Sequence, residues 1–89
     1  MSNVNSVFEG LEIACHTMET ARNIAVNIGI HNAVFTLVDM AYDKFESVLT
    51  DEVRNALCSE DLEKVEEYKN RLAGLHFEIV KTHIKVNIF

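Results

Sequence analysis

The absence of proline is the feature that most restricts what this chain can fold into. The 89 residues include no proline and only three glycines, so few positions interrupt a helix. Proline removes a backbone donor and clashes with the preceding helical turn, and glycine costs about 1 kcal/mol relative to alanine inside a helix. A chain of this length and composition is typical of one small helical domain.

Two segments in the first half of the chain have apolar residues at helical spacing. The first covers about residues 5–28, and Ser6 and Glu9 near its start have the spacing of a capping box. The second covers about residues 32–49, with Asn32 as its expected N-cap. Its apolar arc is wider than one neighbouring helix requires, so we expect it to contact at least two helices.

A third long segment, about residues 60–84, has a heptad repeat. A short turn of helix over about residues 51–57, capped by Thr50, precedes it, and Ser59 is its expected N-cap. In a heptad, two positions face the partner helix. One of these positions carries Leu62, Lys69, His76 and His83, and the other carries Val65, Leu72, Ile79 and Val86.

Together these segments predict an all-α fold. We expect residues 1–89 to form one three-helix domain, built from an N-terminal helix and a helical hairpin. Hydrophobic residues make up 48% of the chain, which is high for a small soluble monomer. We therefore expect two chains to complete a helical bundle by dimerisation. The residues expected in the oligomer interface are Val65, Leu72, His76, Ile79 and His83.

Negative charge is concentrated in the middle of the chain. The net charge is −6, and residues 39–67 alone carry −7, because this segment contains ten acids and only three basic residues, Lys44, Arg54 and Lys64. Acids at the start of the third helix suit its dipole, whereas those late in the second helix oppose it. The acids expected to contact a partner are Asp39, Asp43, Glu46, Asp51, Glu52, Glu60, Asp61, Glu63 and Glu67.

This acidic segment leads to two hypotheses about function. The first is a small non-enzymatic protein–protein interaction module or regulator, which acts as a homo-oligomer and docks on the basic surface of another protein. The second is an acidic inhibitor of the phage or plasmid type, which imitates DNA and blocks a nucleic-acid-binding protein. Direct binding to nucleic acid is not expected, because phosphate contacts depend on lysine and arginine. The simplest alternative is a solvated face that keeps a hydrophobic dimer soluble.

The two heptad histidines leave three interpretations open. His76 and His83 lie about 10 Å apart along a helix, so they cannot hold one metal ion together. They can be packed near the end of the bundle, or they can set helix register and make assembly depend on pH. With Lys69 and Arg22 they can instead form a cationic strip, which would make the protein a small-ligand or anion-binding bundle.

The sequence contains no pattern that indicates catalysis, a cofactor or a metal site. Cys15 and His16 are adjacent, but neighbouring residues of a helix point about 100° apart and do not face each other. Cys15 and Cys58 lack metal-ligand spacing, so free thiols in a cytoplasmic protein are expected. No window has the roughly 18 apolar residues of a membrane span, and residues 1–10 lack the pattern of a signal peptide. We therefore expect no membrane partner.

Overall fold

The computed structural model describes the backbone of residues 4–88 and the side chains of residues 4–84. Every regular element in this range is helical, which confirms the all-α class. The first helix packs along both the second and the last, whereas those two have few contacts with each other. The helices are α1 (Val4–Asn27), α2 (Asn32–Val48), α3 (Asp51–Ala56) and α4 (Ser59–Ile88).

Contacts between side chains define the directions of the long helices. The four-residue connection at residues 28–31 turns the chain back after α1, and Gly10 near the start of α1 lies against Val48 at the end of α2, so α2 runs antiparallel to α1. Near the start of α1, Phe8 stacks on Tyr68. Roughly 21 Å further along α1, Arg22 binds Glu78. Because the contact positions increase together along both helices, α4 runs parallel to α1.

The core is one apolar cluster with α1 at its centre. The inner face of α1 is rich in small residues, which lets both neighbouring helices come close to its backbone. A close approach occurs at Gly10, where a Cβ atom would lie 2.5 Å from Cγ2 of Val48. Buried apolar residues are Leu11, Ala14, Cys15, Met18, Ala21 and Ala25 of α1, Val34, Ala41 and Phe45 of α2, Leu49 after it, and Val65, Leu72, Leu75 and Ile79 of α4.

The two predicted heptad positions of α4 differ in their burial within the chain. The position with Val65, Leu72 and Ile79 is buried, whereas the position with Lys69 and His76 is not part of the core, and the side chain of Val86 lies outside the described residues. Lys69 is exposed and His76 is only half-buried. Leu62 and His83, which share this heptad position, are also exposed. The second buried row contains Tyr68, which is half-buried, and Leu75, which is buried.

Sequence spacing cannot distinguish these two arrangements of α4. The rows 65–69–72–76–79 and 65–68–72–75–79 both alternate steps of three and four residues. Burial decides between them, because covering Leu75 and the ring of Tyr68 is favourable, whereas covering Lys69 would require desolvation of a charge. α1 therefore packs on the more apolar of the two rows.

The starts of α1 and α2 also differ from the prediction. α1 is already helical at Val4, so Ser6 lies inside the helix and is not its N-cap. At α2 the N-cap is His31, whose Nδ1 accepts a hydrogen bond from the backbone N–H of Ala33 at 3.3 Å. Asn32 is the first helical residue. Both predictions chose the more common capping residue type, and the chain geometry places the cap elsewhere.

The start of α3 agrees with the prediction, whereas both ends of α4 differ from it. Thr50 caps α3 as predicted, since its Oγ1 accepts a hydrogen bond from the N–H of Val53 at 3.2 Å. α4 begins at Ser59, so this residue is the first of the helix and not the residue before it. α4 then continues to Ile88, beyond its predicted end at about residue 84.

Candidate functional site

The carboxylates predicted to contact a partner lie toward one end of the bundle. Because α2 runs antiparallel to α4, the later part of α2 and the start of α4 reach the same end, and α3 connects them. All of these side chains are exposed except Asp61, which is half-buried. We call this set the acidic end: Asp39, Asp43, Glu46, Asp51, Glu52, Glu60, Asp61, Glu63 and Glu67.

The acidic end extends over more than one face of the bundle. Asp43 lines a groove between α1 and α2, together with Ile13 and Met40. Glu67 lines a different groove, between α1 and α4, together with Phe8. A partner that contacts all of these carboxylates must therefore enclose the end of the bundle and not only lie along one side.

The ion pairs that join α1 to α4 use other carboxylates. The guanidinium of Arg71 donates to Glu12 at 2.6 Å, and that of Arg22 donates to Glu78 at 2.9 Å. The hydrogen bond to Glu12 raises the pKa of Arg71 further above its ordinary value. Since neither carboxylate belongs to the acidic end, these two pairs leave the charge of that end unchanged.

An aromatic pair occupies the groove between α1 and α4. Phe8 stacks on Tyr68 with ring centroids 6.1 Å apart, and Nζ of Lys64 lies 5.5 Å from the centroid of the Phe8 ring. A cavity of about 410 Å³ adjoins them, with Glu67 and Arg71 on its wall. Both cations already have a partner, Lys64 the ring and Arg71 a carboxylate, so the groove is poorly suited to an anion. Sequence spacing did not indicate this pair, which depends on how the two helices align.

The histidines of the heptad lie in different surroundings. The hydroxyl of Tyr42 lies 2.6 Å from Nδ1 of His76, and the two rings meet edge to face with centroids 5.3 Å apart. Burial raises the pKa of Tyr42, so its phenol is neutral at physiological pH and can donate to the imidazole. His76 therefore connects α4 to α2 within the chain, whereas His83 is exposed.

The proposed cationic strip is not assembled on one side of α4. Arg22 reaches α4 at Glu78, on the side that faces α1. His76 points toward α2, and Lys69 is exposed seven residues before it, on the same side as His76. His83 lies seven residues after His76 on that side too. Arg22 is therefore separated from the other three by the body of the helix.

Three of the residues predicted in the oligomer interface are covered by the chain itself. Val65, Leu72 and Ile79 are at most 5% exposed, in the core against α1. α4 has a second apolar row on another face, which we call the outer stripe. It consists of Phe77, Val80 and Ile84, which are 62%, 39% and 48% exposed. Their steps of three and four residues are a sequence signal for this stripe, which the heptad assignment passed over.

The residues with catalytic potential are separated from one another. Cys15 is buried, and its thiol donates to the backbone carbonyl of Tyr68 at 3.4 Å. Burial raises the pKa of the Cys15 thiol, which disfavours the nucleophilic thiolate. His16 is exposed and lies 3.7 Å from Glu19. Across the described residues, no three His, Cys, Asp or Glu side chains are grouped as metal ligands would be, and no helix is sufficiently long and apolar to cross a membrane.

Known proteins offer no guide to the role of these surfaces. No family model matches the chain, and the comparisons with curated proteins and with solved structures also found no match. Functional proposals therefore depend on the charge, exposure and packing of the chain's own residues.

Proposed function

We propose that this protein is a small, acidic, non-enzymatic interaction module that works as a homo-oligomer and binds a protein with a basic surface. The observation that carries the proposal is the acidic end, whose carboxylates on α2, α3 and α4 are all exposed except the half-buried Asp61. A surface of one sign accelerates encounter with a surface of the opposite sign and disfavours partners of like charge. Such a surface can select a binding partner by its charge, and the protein needs no catalytic site for this role.

Two further features support this role. The buried Cys15 and the exposed His16 do not form a nucleophile and base, which favours binding over catalysis. Both cysteines are free thiols, and this suits a reducing compartment such as the cytoplasm. The proposal requires no cofactor, metal ion, nucleic acid or membrane.

A second candidate function is inhibition of a nucleic-acid-binding protein by imitation of DNA. The observation that favours it is the distribution of the carboxylates over two grooves, with Asp43 in one and Glu67 in the other. Negative charge on several sides of a narrow rod resembles the phosphates around a duplex more than a flat docking face does. In this case the partner's basic surface is its DNA-binding site.

Affinity purification of the tagged protein tests both candidates. The variant Asp43→Asn/Glu46→Gln removes two negative charges from the acidic end. The variant Asn23→Lys/Asn27→Lys changes the net charge by the same amount at the far end of α1, on two exposed positions. We expect the first variant to lose most of the captured protein and the second to retain it. Salt at about 0.5 M should also release the partner, because exposed charges are strongly screened at that ionic strength.

Competition with duplex DNA separates the two candidates. If DNA displaces the captured protein, imitation of DNA is supported, and if it does not, the general docking role is supported. Capture that is equally strong for both variants and insensitive to salt would contradict both candidates.

A further inference from the structure

The outer stripe continues onto α2 as an apolar patch. Tyr42 and His76 mark the line along which α2 and α4 meet. Phe35 lies two helical turns before Tyr42, so it is on the same side of α2, and it is 54% exposed. In the antiparallel α4, the corresponding level is two turns after His76, next to Ile84. Phe35 and the outer stripe therefore present exposed apolar surface along the side of the bundle where α2 and α4 meet.

The charges of α4 divide the helix into two halves. Residues 59–67 contain five acids and one lysine, which gives −4. Residues 68–85 contain four cations and one acid, which gives +3. Two such helices attract each other when they are antiparallel, because each negative half then lies against a positive half. A parallel pair would bring like charges together.

A glycine, Gly74, lies close to the middle of α4. Gly74 is exposed in the interior of α4, where glycine costs about 1 kcal/mol relative to alanine. A Cβ atom at this position would have no neighbour within 4 Å, so packing within the chain gives no reason for glycine. With Ala73 beside it, Gly74 forms a narrow point where a second helix can approach closely.

We infer that the occupant of this surface is a second copy of the chain, paired through α4 in antiparallel orientation with the crossing at Ala73 and Gly74. A two-fold axis at this point places Glu66 of each copy opposite Lys81 of the other, because the two positions are equally far from the centre. The long face of the molecule measures about 51 by 20 Å, or roughly 1,000 Å² in projection. A standard interface needs about 800 Å² per partner, so one face is large enough.

This inference rests on the homo-oligomeric part of the proposed function and adds its surface and orientation. It does not depend on the acidic end binding a partner. The predicted interface residues Val65, Leu72 and Ile79 take no part in it, because α1 already covers them.

Sedimentation equilibrium over a concentration series tests the surface. We expect the wild-type protein to form a dimer and Phe77→Ser to raise its dissociation constant at least tenfold. Ile13→Ser is the matched control, because Ile13 is a similarly exposed apolar residue on α1, in the groove with Met40. Circular dichroism should show unchanged helicity for both variants, since both side chains are largely exposed. A wild-type protein that stays monomeric at millimolar concentration, or a dimer weakened by Ile13→Ser and not by Phe77→Ser, would overturn the inference.

A charge exchange tests the orientation. Glu66→Lys and Lys81→Glu should each weaken the dimer several-fold, and the double variant should restore it. The two positions are roughly 22 Å apart along one helix, so restoration cannot come from a contact within the chain. It also cannot come from the cation–π contact of Lys81 with Phe77, which the double variant still lacks. A double variant weaker than either single variant would rule out the antiparallel pairing.

The outcomes separate this inference from the docking proposal. A monomer that still captures a partner in a salt-sensitive way removes the inference and the homo-oligomeric part of the function, but retains the acidic docking. A dimer with the predicted charge exchange and no captured partner retains the inference and removes the docking.

Discussion

α4 has two apolar faces, of which one is buried within the chain and the other is exposed. The inner face, which consists of Val65, Leu72, Leu75 and Ile79, packs against α1 and is at most 9% exposed. The outer stripe has side chains of the same kind, and each is more than a third exposed. The difference shows that the position of α1, and not hydrophobicity alone, decides which apolar row of a helix becomes core.

The largest expected effect contrasts one residue from each face. Leu72→Ala should lower the free energy of unfolding by about 2–5 kcal/mol, because it removes buried contacts and leaves a cavity. Phe77→Ala should lower it by about 0.5 kcal/mol or less, because the ring is mostly exposed. Urea denaturation measures both, in dilute protein where self-association does not contribute. Similar losses for the two variants would erase the distinction between the faces.

Substitution of two helical glycines by alanine should change the stability of the protein in opposite directions. Gly10→Ala should destabilise the protein by about 1 kcal/mol, because a Cβ atom would collide with Val48 and the cost of overpacking exceeds the gain in helix propensity. Gly74→Ala should stabilise the isolated chain by about 0.5–1 kcal/mol, because its Cβ would meet no other atom. Thermal unfolding followed by circular dichroism gives both values. If both substitutions stabilise the protein, the close approach of α2 to α1 is not as described.

The contact between α2 and α4 should have a smaller effect on stability, of about 1 kcal/mol. Tyr42→Phe removes the hydrogen bond to His76 and retains the ring. Burial raises the pKa of Tyr42 above its ordinary value of 10.0 in the folded state. The unfolded chain therefore loses this proton first, and the stabilisation is present below pH 10 and is lost as the pH rises further.

The pH dependence supplies the control for Tyr42→Phe. Unfolding free energies of the wild type and the variant, measured between pH 8 and about 11, should converge at high pH. Burial also raises the pKa of the Cys15 thiol, so the rise in pH lowers the unfolding free energy through Cys15 as well. This contribution is the same in the wild type and the variant, and it does not affect the difference between them. A constant difference across this range would show that Tyr42 does not titrate as proposed.

The smallest effect is expected for the ion pair between Glu12 and Arg71. Its two side chains are 52% and 42% exposed, so solvent screens their attraction. A double-mutant cycle with Glu12→Gln and Arg71→Gln should give a coupling free energy of about 1 kcal/mol or less, further reduced by salt. A coupling of several kcal/mol would mean that the α1–α4 contact depends on this pair more than on the apolar inner face.

The candidate surfaces were predictable to different degrees. The acids of α2 and α4 fall outside the apolar rows of their helices, so their exposure follows from helical spacing. The outer stripe was also visible as spacing, but nothing in the spacing distinguishes it from the inner face. The Phe8–Tyr68 stack and the Tyr42–His76 contact join positions far apart in the chain and have no sequence signal.

The sequence by itself determined where the helices lie and where the negative charge is concentrated. These properties depend on interactions within a few residues: the lack of proline, the helical spacing of apolar residues and the cap at Thr50. Only the tertiary structure decided that α1 packs on the row with Leu75 and not on the row with His76. Two rows with equal spacing differ only in what they bury against a neighbouring helix, and that energy exists only once the helices meet.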